Sequence, residues 1–136
     1  MEKTYSKYAR IFDEVSVNCS EDQKVNLMFI KLCQQHANDL LKRKGTVFLN
    51  EVYEMLGLPK SKEGCVVGWH YDEKNPIGDN YIDFGLSYIS DTDIIVLDFN
   101  VDGRVVRKAI AAKAESVKNL IKNRNENENR KFKVVK

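Results

Sequence analysis

The run GCVVGWHYDEKNPIGDNYIDFGLSYISDTDIIVLDFNVDG, from Gly64 to Gly103, constrains the fold more than any other part of the chain. Three β-prone stretches, Cys65 to Tyr71, Tyr81 to Tyr88 and Ile94 to Val101, are parted by turn-rich segments: Asp72 to Asn80, with Asn75-Pro76 and Gly78, and Ser90 to Asp93. In the second stretch Ile82, Phe84 and Leu86 alternate with Asp83, Gly85 and Ser87, which makes one face apolar and the other wet. A β-meander of that kind needs a helix across one face only.

That helix is readable upstream. Ser20-Glu21-Asp22-Gln23 has the form of a capping box, with the Ser20 hydroxyl placed to accept from the Gln23 N–H. Val25, Met28, Phe29, Leu32, Cys33, His36, Ala37, Leu40 and Leu41 then recur at three and four, predicting a stripe turned to the sheet. Lys42-Arg43-Lys44 suits the negative end of the helix dipole, and Gly45 follows as a left-handed cap. Thr46 to Leu49 is β-prone, and Asn50 is placed to cap a short helix, Glu51 to Leu56, stopped by Gly57 and Pro59. Before all of these, Tyr5, Tyr8, Ile11 and Phe12 predict a short amphipathic helix within residues 1–19.

Asp102-Gly103 reads as a type I′ turn pair, from which Arg104 to Val106 either returns as a strand or enters a helix. Val106, Ile110, Val117, Leu120 and Ile121 share a helical stripe in an Ala-rich segment, predicting a helix that ends near Lys122. The Asn/Glu/Arg-rich remainder has too little apolar surface to offset its ordering entropy. The expected fold is α+β: a three- to four-stranded antiparallel sheet on one long helix, with short flanking helices and a C-terminal basic helix. Residues 1–103 form the single domain, 104–122 the basic helix packed on it or extending from it, and 123–136 a disordered basic tail.

Charge is unevenly spread. Residues 1–103 hold 11 Lys/Arg against 17 Asp/Glu, and residues 104–136 hold 11 against 3, so a body near −6 carries a tail near +8. A basic tail on an acidic body fits a polyanion-binding arm or docking onto another acidic surface. Arg104, Arg107, Lys108, Lys113, Lys118 and Lys122 are the candidate contacts of the tail, with nucleic acid one partner they could take. Asp72, Glu73, Asp79 and Asp83 are those of the body, with Trp69 as a candidate anchor. Asp91 and Asp93 extend the acidic edge, which could imitate the phosphates of a nucleic acid.

Chemistry is less well framed. Asp98-x-Asn100-x-Asp102-Gly103 copies the first half of a calcium loop, but the position of its bidentate glutamate holds Ala109. His70 lies near Asp72, Glu73, Asp79 and Asp83 without a metal-ligand or general-base pattern. Glycines form no phosphate loop, and no nucleophile frame is present, so no catalytic residue, metal or cofactor is expected. Cys19, Cys33 and Cys65 lack zinc-ligand spacing, and their odd number fits structural thiols in a reducing cytosol. No apolar stretch approaches the ~20 residues needed to cross a bilayer, so no membrane partner is expected.

The blocks LNEVYEMLGLP, VVGW, NPIGDN, IDFGL and LDFNVDG occur in that order. In this the chain resembles an uncharacterised small α/β domain family of phages and prophages of Gram-positive bacteria, over about Tyr8 to Val106. The resemblance implies viral origin and a small α/β fold and carries no activity or catalytic residue with it. Many members have a membrane-prone segment ahead of the domain, absent here, and members tend to finish soon after the Asp-Gly turn, so an individual function falls to residues 104–136. The expected function is a non-enzymatic phage protein in the host cytoplasm, binding a host protein or protein–nucleic-acid complex as an inhibitor of defence or nucleic-acid processing. One alternative is an auxiliary virion protein self-assembling through its C-terminal helix. The other is a metal-dependent enzyme built on His70 and its acidic neighbours.

Overall fold

The computed structural model describes residues 4–12 and 19–134, with side chains described as far as Arg124. The chain divides into two units, residues 1–105 and 106–136. In the first, strand β1 (Arg10–Phe12) precedes helix α1 (Gln23–Lys44), strand β2 (Thr46–Phe48), helix α2 (Leu49–Leu56) and a single 3-10 turn, Glu63–Cys65. Strands β3 (Val67–His70), β4 (Leu86–Tyr88), β5 (Ile95–Leu97) and β6 (Gly103–Arg104) follow. The mixed α+β class expected from the sequence holds, as do the long helix and the C-terminal helix. The strands, however, form two antiparallel three-stranded sheets, β1-β5-β4 and β2-β3-β6, where one was expected.

The division has a local cause. Ile82 and Phe84 are fully buried and Asp83 is exposed, as the alternation predicts, yet their backbone lies outside any ladder. Asn38 of α1 accepts the Ile82 N–H at 2.7 Å and donates to the Ile82 carbonyl at 2.9 Å, while Gln34 accepts the Phe84 N–H at 2.9 Å. Two helix amides thus do the work of a neighbouring strand, satisfying buried backbone groups that would otherwise be costly. The meander is thereby interrupted before β4.

Helix α1 also presents a different face from the expected one. Asn26, Ile30, Cys33, Ala37 and Leu41 are buried, whereas Val25, Met28 and Leu32 are exposed, Met28 to 65% and Leu32 to 59%. His36 is exposed too. Polar Asn26, Gln34 and Asn38 take inward positions because they bond backbone, and that turns the apolar stripe by about a quarter of the helix circumference. Asn26 grips Ser20, accepting its N–H at 2.7 Å and donating to its carbonyl at 2.9 Å. The N-cap is Asp22, whose carboxylate accepts the Lys24 N–H at 2.9 Å, while Ser20 Oγ accepts from Asp22 N–H. Gly45 ends the helix in the left-handed region at φ 85°, as predicted.

Helix α2 begins at Leu49, one turn being secured by Glu51, whose carboxylate accepts the Phe48 N–H at 2.8 Å. Asn50, expected as its cap, instead clamps Ser61, accepting its N–H and donating to its carbonyl. Residues 4–12 contain a turn and β1 in place of the expected helix, and residues 13–18 lie outside the described residues. Asp98 fixes this segment by accepting from the Ser6 hydroxyl at 2.6 Å, and Tyr53 donates its hydroxyl to the Tyr8 carbonyl at 2.8 Å. The core centres on Trp69, Tyr53, Ile82 and Phe84, with Phe99 edge-on to Phe84 at 5.2 Å and to Tyr53 at 5.6 Å.

Ser87 Oγ on β4 is buried without a hydrogen-bond partner among the described residues. Ser87→Ala is expected to raise stability by about 0.5–1 kcal/mol, because it removes a desolvated hydroxyl that gains nothing in return. A denaturant midpoint unchanged or lower than that of the parent would contradict this.

In the second unit, helix α3 (Val106–Val134) runs for 29 residues, about 44 Å at 1.5 Å per residue. It passes Lys122, where the apolar stripe stops and disorder was expected. The run beyond has no proline or glycine, and its Glu, Arg and Lys are good helix formers.

Candidate functional site

The acidic candidates gather on the loop from Asp72 to Asp83, which is built around two asparagines. Asn80, at φ 54°, closes its neck by accepting the Asp72 N–H and donating to the Asp72 carbonyl, each at 3.1 Å. Asparagine tolerates this left-handed conformation better than most residues. Asp72 Oδ1 in turn accepts the N–H groups of Lys74 and Asn75, forming a turn of its own.

Asn100 ties the loop to the core. Its Nδ2 donates to Asp79 Oδ2 at 3.0 Å and to the Tyr81 carbonyl at 2.9 Å. Its Oδ1 accepts from Trp69 Nε1 at 3.0 Å and from the Asp83 N–H at 2.7 Å. Both ends of one amide are therefore filled twice. Trp69, read as a possible anchor, is fully buried with its indole N–H on Asn100, so it supports the loop from beneath and presents nothing to a partner.

The remaining carboxylates have separate local tasks. Asp83 Oδ1 accepts the Gly85 N–H at 2.8 Å, and Glu73 Oε1 accepts the Tyr71 hydroxyl at 2.7 Å. Asp102 Oδ2 accepts the His70 N–H at 3.1 Å, and its carboxylate abuts Gly78 so closely that a Cβ there would lie 1.8 Å from Oδ1. His70 Nδ1 sits 2.8 Å from Thr46 Oγ1. The half calcium loop is dispersed in the same way: Asp98 faces Ser6, Asn100 faces Trp69 and Asp79, and Asp102 faces His70. Among the described residues no three His, Cys, Asp or Glu side chains are grouped to hold a metal ion.

Burial pushes the Asp102 carboxyl above its ordinary value of 3.8, with the Asp79 charge adding to the rise and the His70 and Asp79 N–H groups opposing it. A carboxyl raised on folding stabilises the fold fully below its unfolded value and loses that contribution as pH climbs through the folded one. The parent is therefore expected to lose stability relative to Asp102→Asn as pH rises from about 4 to 7. Parallel denaturation curves at the two pH values check the sign, and a gap that widens in favour of the parent would refute it.

The ion pairs among the described residues are Lys7–Glu63, Lys44–Glu51 and Lys60–Glu54. None involves Glu73, Asp79 or Asp83, and none involves Arg107, Lys108, Lys113, Lys118 or Lys122. Exposed Ile77 and Tyr81 lie on the acidic loop, and exposed Ile110, Val117, Leu120 and Ile121 lie on α3. Arg104, from the same sequence reading, is exposed at the end of β6. The sequence does not mark Asn100 as the organiser: it stands there only as one position of an incomplete calcium-loop match in a strand that runs into an Asp-Gly turn.

The chain matches the Family of unknown function (DUF6353) over residues 1–109 and belongs to that family. No curated protein and no solved structure matches it. The match covers the first unit with its acidic loop and stops within the first turn of α3. No helix among the described residues is long and apolar enough to cross a membrane.

Proposed function

We propose that the protein is a non-enzymatic binding protein of phage origin that acts in the host cytoplasm on a host protein or protein–nucleic-acid complex, as an inhibitor of defence or nucleic-acid processing. The observation that carries this reading is the pair of charged surfaces: carboxylates fixed on a hydrogen-bonded loop, and a long basic helix whose side chains stand in solvent from Ile110 to Arg124. Preset charge steers and selects partners, since its desolvation is compensated only by a complementary surface. The carboxylates around His70 are each held by a hydrogen bond within the fold, Asp72 and Asp83 to nearby backbone N–H groups, Glu73 to the Tyr71 hydroxyl and Asp79 to Asn100, which supports adhesion over bond-making. The phage resemblance of the LNEVYEMLGLP to LDFNVDG blocks supports the viral setting.

The test is capture of host proteins by the tagged chain, with and without nuclease, against a chain truncated at residue 105 and a Glu73→Lys, Asp79→Lys variant. A defined host complex lost with either change is expected. Capture that is abolished by nuclease alone would favour plain nucleic-acid binding, and turnover of any substrate dependent on His70 would replace the reading. The second reading, self-assembly through α3, is favoured by the exposed aliphatic side chains on that helix.

A further inference from the structure

Helix α3 is amphipathic in a specific way. At 100° per residue, Ile110, Ala114, Val117, Leu120 and Ile121 fall within one arc that also takes in Lys113, Arg107 and Lys118 border it, and Lys108 and Lys122 fall on the other side. Ile110 is 63% and Leu120 68% exposed. Residues 106–124 carry six Lys/Arg against one acid, Glu115. A partner must therefore offer both apolar surface and negative charge. Pairing of α3 with another α3 meets the first need and fails the second, because Lys113 and Lys118 flank Val117 and would face their like. A nucleic-acid backbone meets the second and leaves the aliphatic arc in water.

The Asp72–Asp83 loop meets both. Glu73, Asp79 and Asp83 stand there without an ion-pair partner among the described residues, and Ile77 and Tyr81 are exposed beside them, 42% and 48%. Asn100 and Asn80 hold the loop in one geometry, so little ordering entropy is lost on docking. We propose that α3 of one copy docks on the Asp72–Asp83 loop of a second copy, reciprocally, in a two-fold dimer. Lys113 and Lys118 lie toward Glu73, Asp79 and Asp83, and the aliphatic arc covers Ile77 and Tyr81. An isologous arrangement makes each contact twice and closes the assembly at two chains. The same two surfaces serve the host contact proposed above, on which this dimer does not depend; the second copy is the host partner's competitor.

The experiment is light scattering of the full chain over a concentration series. At low salt the mass is expected to rise from one chain to two, and to return to one in about 1 M NaCl, where screening extends over only ~3 Å. Lys113→Glu with Lys118→Glu, and Glu73→Lys with Asp79→Lys, are each expected to give single chains with the parent's circular dichroism. An equimolar mixture of the two should recover the two-chain mass, since each reversed surface then meets its complement. If the Asp79 substitution unsettles the loop, Glu73→Lys mixed with Lys118→Glu makes the same comparison. A single-chain mass at every concentration in low salt overturns the proposal. So does a dimer that survives either reversal, or a mixture that stays monomeric while both variants are folded.

Discussion

Asn100→Ala is expected to destabilise the first unit by about 2 kcal/mol. The amide makes four hydrogen bonds, and truncation leaves the Asp83 N–H and the Tyr81 carbonyl without their partner and Asp79 Oδ2 without its donor. Trp69 keeps one bond, to the Asn100 carbonyl at 3.1 Å. A polar group left unpaired costs about 1–3 kcal/mol when buried, and because the bonds to Asp83, Tyr81 and Asp79 are exposed, access to water lowers the sum. Asn100→Asp discriminates further. Placing a carboxylate oxygen where Nδ2 now faces Asp79 Oδ2 and the Tyr81 carbonyl sets acceptor against acceptor, so at pH 7 its loss should equal or exceed that of alanine and ease on acidification. Urea denaturation followed by tryptophan fluorescence reads both variants, since Trp69 is the sole tryptophan and touches the site. A loss under about 1 kcal/mol for alanine would show that the four bonds contribute little net stability.

Gly68→Ala is expected to cost about 3 kcal/mol or more by a different route. Gly68 lies in β3 opposite Phe48 of β2 and Gly103 of β6, and a Cβ there would sit 2.1 Å from the Val47 carbonyl oxygen and 2.8 Å from Phe48 Cα. Both neighbours are backbone, so relief requires β2 to leave β3, losing ladder bonds as well as packing. Gly45→Ala supplies the contrast: its φ is 85°, but nothing lies within 4 Å of the added carbon, so only the left-handed conformation is charged, about 1–2 kcal/mol. Equal losses at the two positions would mean that contact geometry is not what confines residue 68 to glycine.

Much of the first unit was legible because its signals were local. The Lys42-Arg43-Lys44-Gly45 terminus, the Gly57 stop and the burial of Ile82 and Phe84 followed from caps and period alone. What escaped was set by tertiary hydrogen bonding. Nothing in the spacing of Gln34 and Asn38 marks them as substitutes for a strand, and without that knowledge the α1 stripe is placed on the side of Met28 and Leu32. Of the acidic candidates Glu73, Asp79 and Asp83 stand exposed and Asp72 is half-buried, and the burial of Trp69 resolves an ambiguity of the sequence, because an aromatic in a β-prone stretch has the same appearance at an edge and in a core. Asn100 could not be recognised from sequence, since its four partners come from Trp69 and from residues 79–83, brought together only by folding. For α3, composition forecast the charge, while its continuation to Val134 reflects helix propensity in a segment whose low hydrophobicity had argued for disorder.

The grip of Gln34 and Asn38 on the Ile82–Phe84 backbone bears on how the first unit comes apart. The amide protons of Ile82 and Phe84 are sequestered by side chains of α1, so their exchange with solvent is governed by fraying or detachment of that helix, with the β4-β5 ladder as a bystander. Helix and extended segment then open as one cooperative piece, and a perturbation anywhere along α1 is transmitted to the root of the acidic loop two residues away.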